Sequence, residues 1–338
     1  MKHYTQAKRC SLDTLLSLLQ AASLMKYERR YPDLSGKILG MVFMNPSLRT
    51  KLSFEAAMAR CGGQALSITP GESSWAFEEQ LGIRMDSDRP EHLKDAVRVM
   101  SRYVDALALR SFAKLQSVTE DVQDTTLRRF EDWSTVPVMS LESAVEHPCQ
   151  MLADMLTIKE ICTEPKAKNF CLRWAPHIKP LPLAVPHSAI FAAAHLGMNI
   201  TVCAPEGYEL HTEFIQYAKE TTTFLGGTFA QSHDPSSLPD DTKIVYVKSW
   251  GASSLYNQPE RQRQDFERHA HWMVDAPLLQ EETRLLHCMP IRRNLVATDA
   301  ALDHKNSAII EQAENRLWAQ LSILEWIFTN DDGVIQND

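Results

Sequence analysis

The stretch "GKILGMVFMNPSLRTKLSFEAAMARCGG", residues 36–63, joins an apolar run to a helix through a short polar segment. The run "KILGMVFM" (37–44) is continuously apolar, which is typical of a parallel strand buried on both faces. A helix is predicted over about 50–61, and Gly62 and Gly63 mark its end. A buried strand followed directly by a helix is the unit from which α/β folds are built.

The same alternation continues along the rest of the chain. Further strands are predicted at 64–69, 105–110, 136–140, 169–175, 199–205, 243–249, 271–275 and 284–290. Helices are predicted at about 13–27, 90–103, 119–130, 147–162, 186–196, 211–221, 259–269 and 315–330, with Pro90 and Pro148 near the first positions of two of them. The pattern predicts an α/β protein with two doubly wound parallel-sheet domains joined by long helices. We place the domains at 1–146, completed by the C-terminal helix 315–330, and at 147–314.

Composition narrows the class of protein. The chain has 338 residues, 44% of them hydrophobic, which is enough to bury two cores. Its net charge of −8 and scattered basic residues disfavour nucleic-acid and membrane partners. Seven cysteines without CxxC spacing argue against a disulfide framework or a zinc site, and the chain carries no long apolar segment. A cytoplasmic protein without export or membrane attachment is therefore predicted.

Polar side chains follow most of the predicted strands. They are Ser47, Arg49, Thr50, Arg110, Glu142 and His147 in the first domain and His177, Lys248, Cys288 and Arg292 in the second. In open parallel sheets, ligands bind beyond the carboxyl ends of the strands. The segment from Ser47 to Thr50 stands where backbone N–H groups and the helix dipole attract anions, so it predicts a phosphate site.

Each of these features also has a purely structural explanation. Ser47 and Thr50 fit helix capping as well as they fit phosphate binding. Arg110 alone fits an ion pair with a surface carboxylate, and His147 fits a helix cap. Trp75, in a Gly/Ser/Glu-rich loop, fits either core packing or closure over a ligand.

Two other classes of protein are disfavoured by what the sequence lacks. Cys288 has no second cluster of metal-spaced ligands and no paired base, which argues against a metal site or a covalent nucleophile. No GxGxxG follows a predicted strand, which argues against a nicotinamide-dependent oxidoreductase.

Taken together, "NPSLRTKLSFE" (45–55), Arg110, "HPCQ" (147–150) and "HCMP" (287–290) resemble the aspartate/ornithine carbamoyltransferase family. The resemblance covers nearly the whole chain, and the order of the motifs is specific. It implies a homotrimer with active sites at the subunit interfaces, a first domain that binds carbamoyl phosphate and a second domain that binds the amino acid.

The resemblance also implies residue roles. The residues that would bind carbamoyl phosphate are Ser47, Leu48 through its main chain, Arg49, Thr50, Trp75 from a neighbouring subunit, Arg110, His147, Gln150, Cys288, Met289 and Arg316. Those expected to be catalytic are Arg49, Thr50, Arg110, His147, Gln150 and Cys288. Donors of this kind would stabilise the developing oxyanion while a neutral δ-amine attacks and the leaving phosphate accepts its proton. No metal and no organic cofactor is required.

The acceptor loops resemble one branch of the family. "KSWGA" (248–252), Trp75 and the Pro-rich "HIKPLPLAVP" (177–186) are similar to the branch that uses N-acylated ornithine, in which the Pro-rich loop is threaded into a knot. The resemblance implies that Glu142, His177, Lys248, Arg292 and Pro90 bind this substrate, with His177 or Lys179 near its carboxylates. Val296 stands where some acetylornithine enzymes have a modifiable lysine.

Pro90, within "DSDRPEH" (86–92), bears on the acyl group. A glutamate at this position would repel a succinyl carboxylate, whereas proline removes the charge and leaves room. The acetylornithine enzymes of this branch have glutamate at this position, so the resemblance implies carbamoyl transfer to the δ-amine of N-succinylornithine, which gives N-succinylcitrulline and phosphate in arginine biosynthesis. The alternatives are N-acetylornithine as acceptor and, more remotely, an inactive regulatory paralogue.

Overall fold

The computed structural model describes residues 2–329. The strands are β1 (Ile38–Phe43), β2 (Gln64–Ile68), β3 (Phe77–Glu78), β4 (Glu91–His92), β5 (Ala106–Arg110), β6 (Val138–Glu142), β7 (Asn169–Trp174), β8 (Asn199–Cys203), β9 (Phe229–Ser232), β10 (Thr242–Lys248) and β11 (Arg284–Leu286). The helices are α1 (Leu12–Glu28), α2 (Leu48–Arg60), α3 (Leu93–Met100), α4 (Val118–Gln123), α5 (Thr125–Trp133), α6 (Pro148–Ile161), α7 (Ala184–His195), α8 (Thr212–Phe224), α9 (Pro259–Arg268), α10 (Asp299–Leu302) and α11 (Ile309–Thr329). The last residue of the predicted C-terminal helix, 330, lies outside the described residues.

The chain divides into two compact units. The first contains the residues up to Phe112, Asp124–Ser143 and the segment from Leu317 onward, and the second contains Ala113–Gln123 and Ala144–Arg316. Residues 113–123, which the sequence assigned to the first domain, thus belong to the second unit. Within residues 2–329, no helix combines the length and apolar composition that a bilayer crossing requires.

The first unit is built on a four-stranded parallel sheet in the order β2-β1-β5-β6. Every residue of β5 is buried, which is why this strand reads as a short apolar run. One face of the sheet packs Val42, Leu107 and Val138 against Leu127 and Phe130 of α5. The chain moves outward in opposite directions from β1, to β2 on one side and to β5 on the other, which is a doubly wound order.

The second unit contains a five-stranded parallel sheet in the order β11-β10-β7-β8-β9. Here the order reverses between β7 and β10, so this sheet is also doubly wound. Its core includes Val245 and Val247 of β10 and Leu285 of β11. The predicted α/β class with two parallel-sheet domains is confirmed.

One predicted strand is absent, and the edge strand β9 was not predicted. The segment 271–275 is no strand: Ala270–Trp272 forms a 3-10 turn, and Val274 makes a single bridge to Ala297. Asp275 ends any extension because its side chain accepts a hydrogen bond from the Ala276 N–H and starts another turn. Conversely, the sequence missed β9, an edge strand without a fully buried residue, because such a strand lacks a strong apolar signal.

Two helix predictions also need correction. Pro90 does not begin a helix: Glu91–His92 first pairs with Phe77–Glu78, and the His92 Nδ1 then caps α3 by accepting from the Lys94 N–H. The predicted helix at 119–130 is two helices, since Asp124 has a left-handed φ of 49° between α4 and α5.

Gly227, just before β9, has no room for a side chain. A Cβ there would lie 2.5 Å from the Thr222 Oγ1 and 2.8 Å from the Gly197 carbonyl oxygen. At Gly40 in β1, by contrast, a Cβ would meet only side-chain methyl groups, the closest being that of Leu107 at 3.1 Å.

We therefore expect Gly227→Ala to lower the free energy of unfolding by about 3 kcal/mol, the upper part of the range for overpacking. Gly40→Ala is the matched control and should cost about 1 kcal/mol or less, because methyl groups move more easily than backbone. Urea unfolding followed by circular dichroism measures both. Equal losses would contradict the clash at Gly227.

Candidate active site

Ser47 caps the N-terminus of α2. It has extended backbone (φ −155°, ψ 122°), and its Oγ accepts a hydrogen bond of 3.2 Å from the Thr50 N–H. Thr50 is buried, Arg49 is partly buried and the Leu48 side chain is 74% exposed. The capping interpretation of Ser47 is confirmed, and the same helix end presents its positive dipole to an anion.

Arg110 lies at the same edge of the first sheet as this helix end. Residue Phe43, the last of β1, pairs in register with Arg110, the last of β5. The loop after β1 is tied to the chain after β5, since the Asn45 Oδ1 accepts from the Phe112 N–H at 2.8 Å. Parallel pairing therefore brings the Ser47 segment and Arg110 to neighbouring strand ends.

Arg110 and Glu142 form a buried ion pair. The two residues are register partners on β5 and β6, and the Arg110 Nη1 lies 2.6 Å from the Glu142 Oε2. Their exposures are 8% and 7%. The guanidinium carbon lies 4.6 Å from the ring centroid of Phe112, so the cation is flanked by an aromatic ring. Arg110 does pair with a carboxylate, but with a buried one.

Trp75 and Pro90 lie on exposed segments of the first unit. The Trp75 side chain is 56% exposed, and its Nε1 donates a 2.5 Å hydrogen bond to the Glu91 Oε2. Glu91 follows Pro90 directly, so the tryptophan is tied to the segment that carries the proline. The core-packing alternative for Trp75 is wrong.

In the second unit, His147 is held at the start of α6 by its backbone. Its N–H donates to the Ser188 Oγ of α7 at 2.7 Å, and Pro148 occupies the first helical position, where no N–H is needed. The His147 ring makes no capping hydrogen bond to the helix and is 2% exposed. His147 is thus the N-cap residue of α6, as the capping alternative predicts, but its ring takes no part in the cap.

Gln150, one turn along α6, is completely buried beside Arg316 of α11. The Gln150 Oε1 accepts a 2.9 Å hydrogen bond from the Arg316 Nη1, and the Gln150 Nε2 donates to the Asp154 Oδ1 at 2.7 Å. His147, Gln150 and Arg316, which the sequence predicted as one group of ligands, thus belong to the same unit, with Gln150 and Arg316 in direct contact.

The "HCMP" segment follows β11 in a tight turn. The Met289 N–H donates to the His287 Nδ1 at 2.8 Å, and Met289 has a φ of 51°. The His287 N–H donates to the Gln312 Oε1 of α11 at 2.8 Å. Cys288 and Met289 are both partly exposed, between a buried His287 and an exposed Pro290.

His177, Lys248 and Arg292 form a cationic group in the second unit. The Arg292 Nε donates to the His177 Nε2 at 3.2 Å, and Lys248 is the last residue of β10. The pKa of His177 falls from 6.5 to about 4, first through burial and then through the charges of Lys248, Arg292 and Lys179. The imidazole is therefore neutral at pH 7, with Nε2 as an acceptor and Nδ1 beside the Lys179 carbonyl oxygen at 2.9 Å.

Sequence reasoning missed two residues that position the predicted ligands of α6. Ser188 accepts from the His147 N–H, and Asp154 accepts from the Gln150 amide. Ser188 carried no signal, because a small polar residue within a helix is common. Asp154 carried one: it is an acid four residues after Gln150 in the apolar helix "CQMLADMLTIKEI", so it lies on the same helix face.

In the described part of the chain, no three His, Cys, Asp or Glu side chains are grouped as a metal ligand set.

Profiles of one family match both halves of the chain. Residues 2–160 match the family's carbamoyl-P binding domain, and residues 184–327 match its Asp/Orn binding domain. The chain belongs to the aspartate/ornithine carbamoyltransferase family. The resemblance carried by its strand-end motifs is thus confirmed, and this carbamoyltransferase has both domains of the family.

Individual relatives of this carbamoyltransferase are similar along nearly their whole length. The N-acetylornithine carbamoyltransferase of Xanthomonas campestris pv. campestris is 36% identical over 96% of this chain and 97% of that protein. The N-succinylornithine carbamoyltransferase of Bacteroides thetaiotaomicron is 33% identical over 90% and 92%. A crystal structure of a glutamate-to-proline variant of N-acetyl-L-ornithine transcarbamylase, complexed with carbamyl phosphate and N-succinyl-L-norvaline, is 36% identical with a TM-score of 0.93, and the match covers 97% of this chain and 100% of that one.

The Ser47 cap has a matched counterpart, because Ser11 caps α1 in the same way, with its Oγ 3.1 Å from the Thr14 N–H. Ser47→Ala and Ser11→Ala should each lower the free energy of unfolding by about 1 kcal/mol. If Ser47 also binds phosphate, only Ser47→Ala should weaken the binding of inorganic phosphate, by about tenfold in a calorimetric titration. An unchanged Kd would leave Ser47 a cap alone.

The lowered pKa of His177 predicts a pH dependence. The unfolded chain takes up a proton on this imidazole below about pH 6.5, whereas the folded chain does so only near pH 4, so this group lowers stability as the pH falls from 6.5 towards 4. We expect the His177 Cε1 resonance, assigned with His177→Gln, not to titrate between pH 5 and 8. A midpoint near 6.5 would contradict the contact with Arg292.

Proposed function

We propose that this enzyme transfers the carbamoyl group of carbamoyl phosphate to the δ-amine of an N-acylated ornithine. The observation that carries the proposal is the capped end of α2 beside Arg110, at one edge of the first sheet, in a chain that two N-acylornithine carbamoyltransferases match along 90% or more of its length. The activities of these two relatives support this substrate class.

The proposed roles in the first unit follow from charge. Ser47, the Leu48 main chain, Arg49 and Thr50 hold the phosphate, because a helix N-terminus with a guanidinium offers both a dipole and fixed donors. These groups stabilise the leaving phosphate more strongly as its negative charge grows, and stabilisation of this kind lowers the barrier. Trp75 contributes to the same substrate from a neighbouring subunit.

The remaining groups act on the carbamoyl moiety. Arg110 and His147 donate hydrogen bonds to its carbonyl oxygen, where negative charge develops. Gln150, held by Arg316, and the Cys288–Met289 turn hold its amide. The attacking amine is neutral, and the departing phosphate accepts its proton, so the chain needs no metal for this route.

Two acceptors remain as candidates. Overall similarity favours N-acetylornithine, since the Xanthomonas relative is more similar than the Bacteroides relative, at 36% against 33% identity and with higher coverage. Pro90 favours N-succinylornithine, because proline places no negative charge near a succinyl carboxylate. The glutamate-to-proline variant crystallised with N-succinyl-L-norvaline supports the second candidate, since it joins this kind of residue to a succinyl ligand.

We propose N-succinylornithine as the preferred acceptor, because overall identity averages over the whole chain whereas the charge at position 90 acts on the acyl group directly. Glu142 binds the acceptor's amide or amine, Lys248 and Arg292 bind its carboxylates, and the neutral His177 positions the Arg292 guanidinium. A homotrimer, a place in arginine biosynthesis, a cytoplasmic location and a knotted loop over 177–186 belong to the same proposal and rest on the family resemblance.

Steady-state kinetics with N-acetyl-, N-succinyl- and free ornithine tests the acceptor. We expect the highest kcat/KM for N-succinylornithine. Pro90→Glu should shift the ratio of kcat/KM for the succinyl and acetyl substrates at least about tenfold towards acetyl, because like charges then repel.

Pro90→Gln is the matched control, since glutamine has the size of glutamate without its charge. It should shift the ratio much less than Pro90→Glu does. A wild-type preference for N-acetylornithine would establish the other candidate, and equal shifts in the two variants would mean that bulk rather than charge selects the acyl group.

A further inference from the structure

We propose that Asp154 is a positioning residue for carbamoyl phosphate, whose carboxylate sets the orientation of the Gln150 amide and connects it to the turn that contains Cys288. The inference rests on the proposed function in one respect, namely that Gln150 contacts the carbamoyl group. Asp154 lies on α6, four residues after Gln150.

One carboxylate oxygen organises two amides. The Asp154 Oδ1 accepts from the Gln150 Nε2 at 2.7 Å and from the Gln312 Nε2 at 2.7 Å. Above its pKa of about 7 the Asp154 carboxylate is ionised and has no proton to donate, so both glutamines must turn their NH₂ groups towards it. Asp154 thereby decides which way each amide faces.

The orientation of the Gln150 NH₂ group also determines where the Gln150 Oε1 points. With its NH₂ group on Asp154, Gln150 presents its Oε1 to the Arg316 Nη1 at 2.9 Å. A carbonyl oxygen has two lone pairs, so this Oε1 has capacity for one more donor, which suits the N–H of a carbamoyl amide. A reversed amide would place an NH₂ group against the guanidinium and would offer the ligand a second donor instead.

The second amide connects the carboxylate to a separate loop. Gln312 uses its Oε1 to accept from the His287 N–H at 2.8 Å, directly before Cys288. The path from Gln150 through Asp154 and Gln312 to His287 consists of three hydrogen bonds of 2.7–2.8 Å. Two segments proposed to hold the carbamoyl group therefore share one anchor.

Burial makes the anchor rigid. Asp154, Gln150 and Gln312 are completely buried, so bulk solvent does not reach their hydrogen bonds. Burial raises the pKa of Asp154 to about 7, against the opposing effects of Gln312, Gln150, Tyr246 and Arg316. A carboxyl group that is removed from water in an apolar helix needs hydrogen-bond partners, and Gln150 is one of them here.

The test compares two ligands that differ in the carbamoyl-like group. Phosphonoacetamide, a stable mimic of carbamoyl phosphate, carries the amide, whereas inorganic phosphate does not. Asp154→Asn keeps the shape but loses the charge, so well above pH 7, where Asp154 is ionised, it should weaken phosphonoacetamide binding by about tenfold, equivalent to about 1.4 kcal/mol. The Kd for inorganic phosphate should change less than about twofold, within the usual error of such measurements.

A double-mutant cycle shows whether Asp154 acts through Gln150. In the Gln150→Ala background, Asp154→Asn should cause a much smaller loss of phosphonoacetamide binding, limited to the part that acts through Gln312 and the Cys288 turn. Thr157→Val is the matched control: Thr157 is equally buried on α6 and also contacts α11, through the Asn315 Nδ2 at 2.9 Å. It should lower stability and leave the ratio of the two Kd values unchanged.

Several outcomes would overturn the inference. These are wild-type phosphonoacetamide binding in Asp154→Asn, an equal loss for both ligands, a loss that persists undiminished in Gln150→Ala, and a wild type that binds phosphonoacetamide no better than phosphate. If Asp154→Asn does not fold, Asp154→Ser replaces it, since its short hydroxyl cannot reach Gln150 and the same pattern is expected. A wild type that binds phosphonoacetamide yet carbamoylates no acylornithine would refute the proposed function alone.

Discussion

Parallel strands deliver their carboxyl ends to the same edge of a sheet, and the chemistry of this enzyme depends on that constraint. In the first unit, β1, β5 and β6 end at the Ser47 segment, at Arg110 and at Glu142. Because register pairs the last residues of these strands, the Ser47 segment and the buried Arg110–Glu142 ion pair lie at neighbouring strand ends. The apolar runs that make the strands are thus also what positions the polar groups.

Buried charge is managed differently in the two units. Arg110 is paired directly with a carboxylate, which compensates much of the cost of removing both ions from water. Asp154 instead meets neutral amides, with Arg316 acting on it from behind Gln150. The first arrangement holds a cation at a strand end, while the second uses an anion to orient an amide.

The polar network of the second unit consists of hydrogen bonds between helices that are far apart in the sequence. Asp154 and Gln312 are 158 residues apart, and Gln150 and Arg316 are 166 apart. Helices α6 and α11 meet with these side chains in contact, and the amides are oriented only because each donor has a fixed acceptor. A change at one member therefore reaches its partners through hydrogen bonds rather than through chain neighbours.

The sequence by itself determined the α/β class, most strands and the family, since continuous apolar runs and motifs such as "HPCQ" are local properties of the chain. It also located Ser47, Arg110 and Gln150 at strand and helix ends. It failed at β9, an edge strand whose exposed residues give no strong apolar signal. It also failed at 271–275, where a 3-10 turn and the Asp275 cap replace the predicted strand. Only the tertiary structure decided that Arg110 pairs with Glu142, that Arg292 contacts His177 and that Asp154 holds two glutamines. The physical reason is that hydrogen bonds between residues far apart in the chain depend on register and helix packing, which periodicity does not encode.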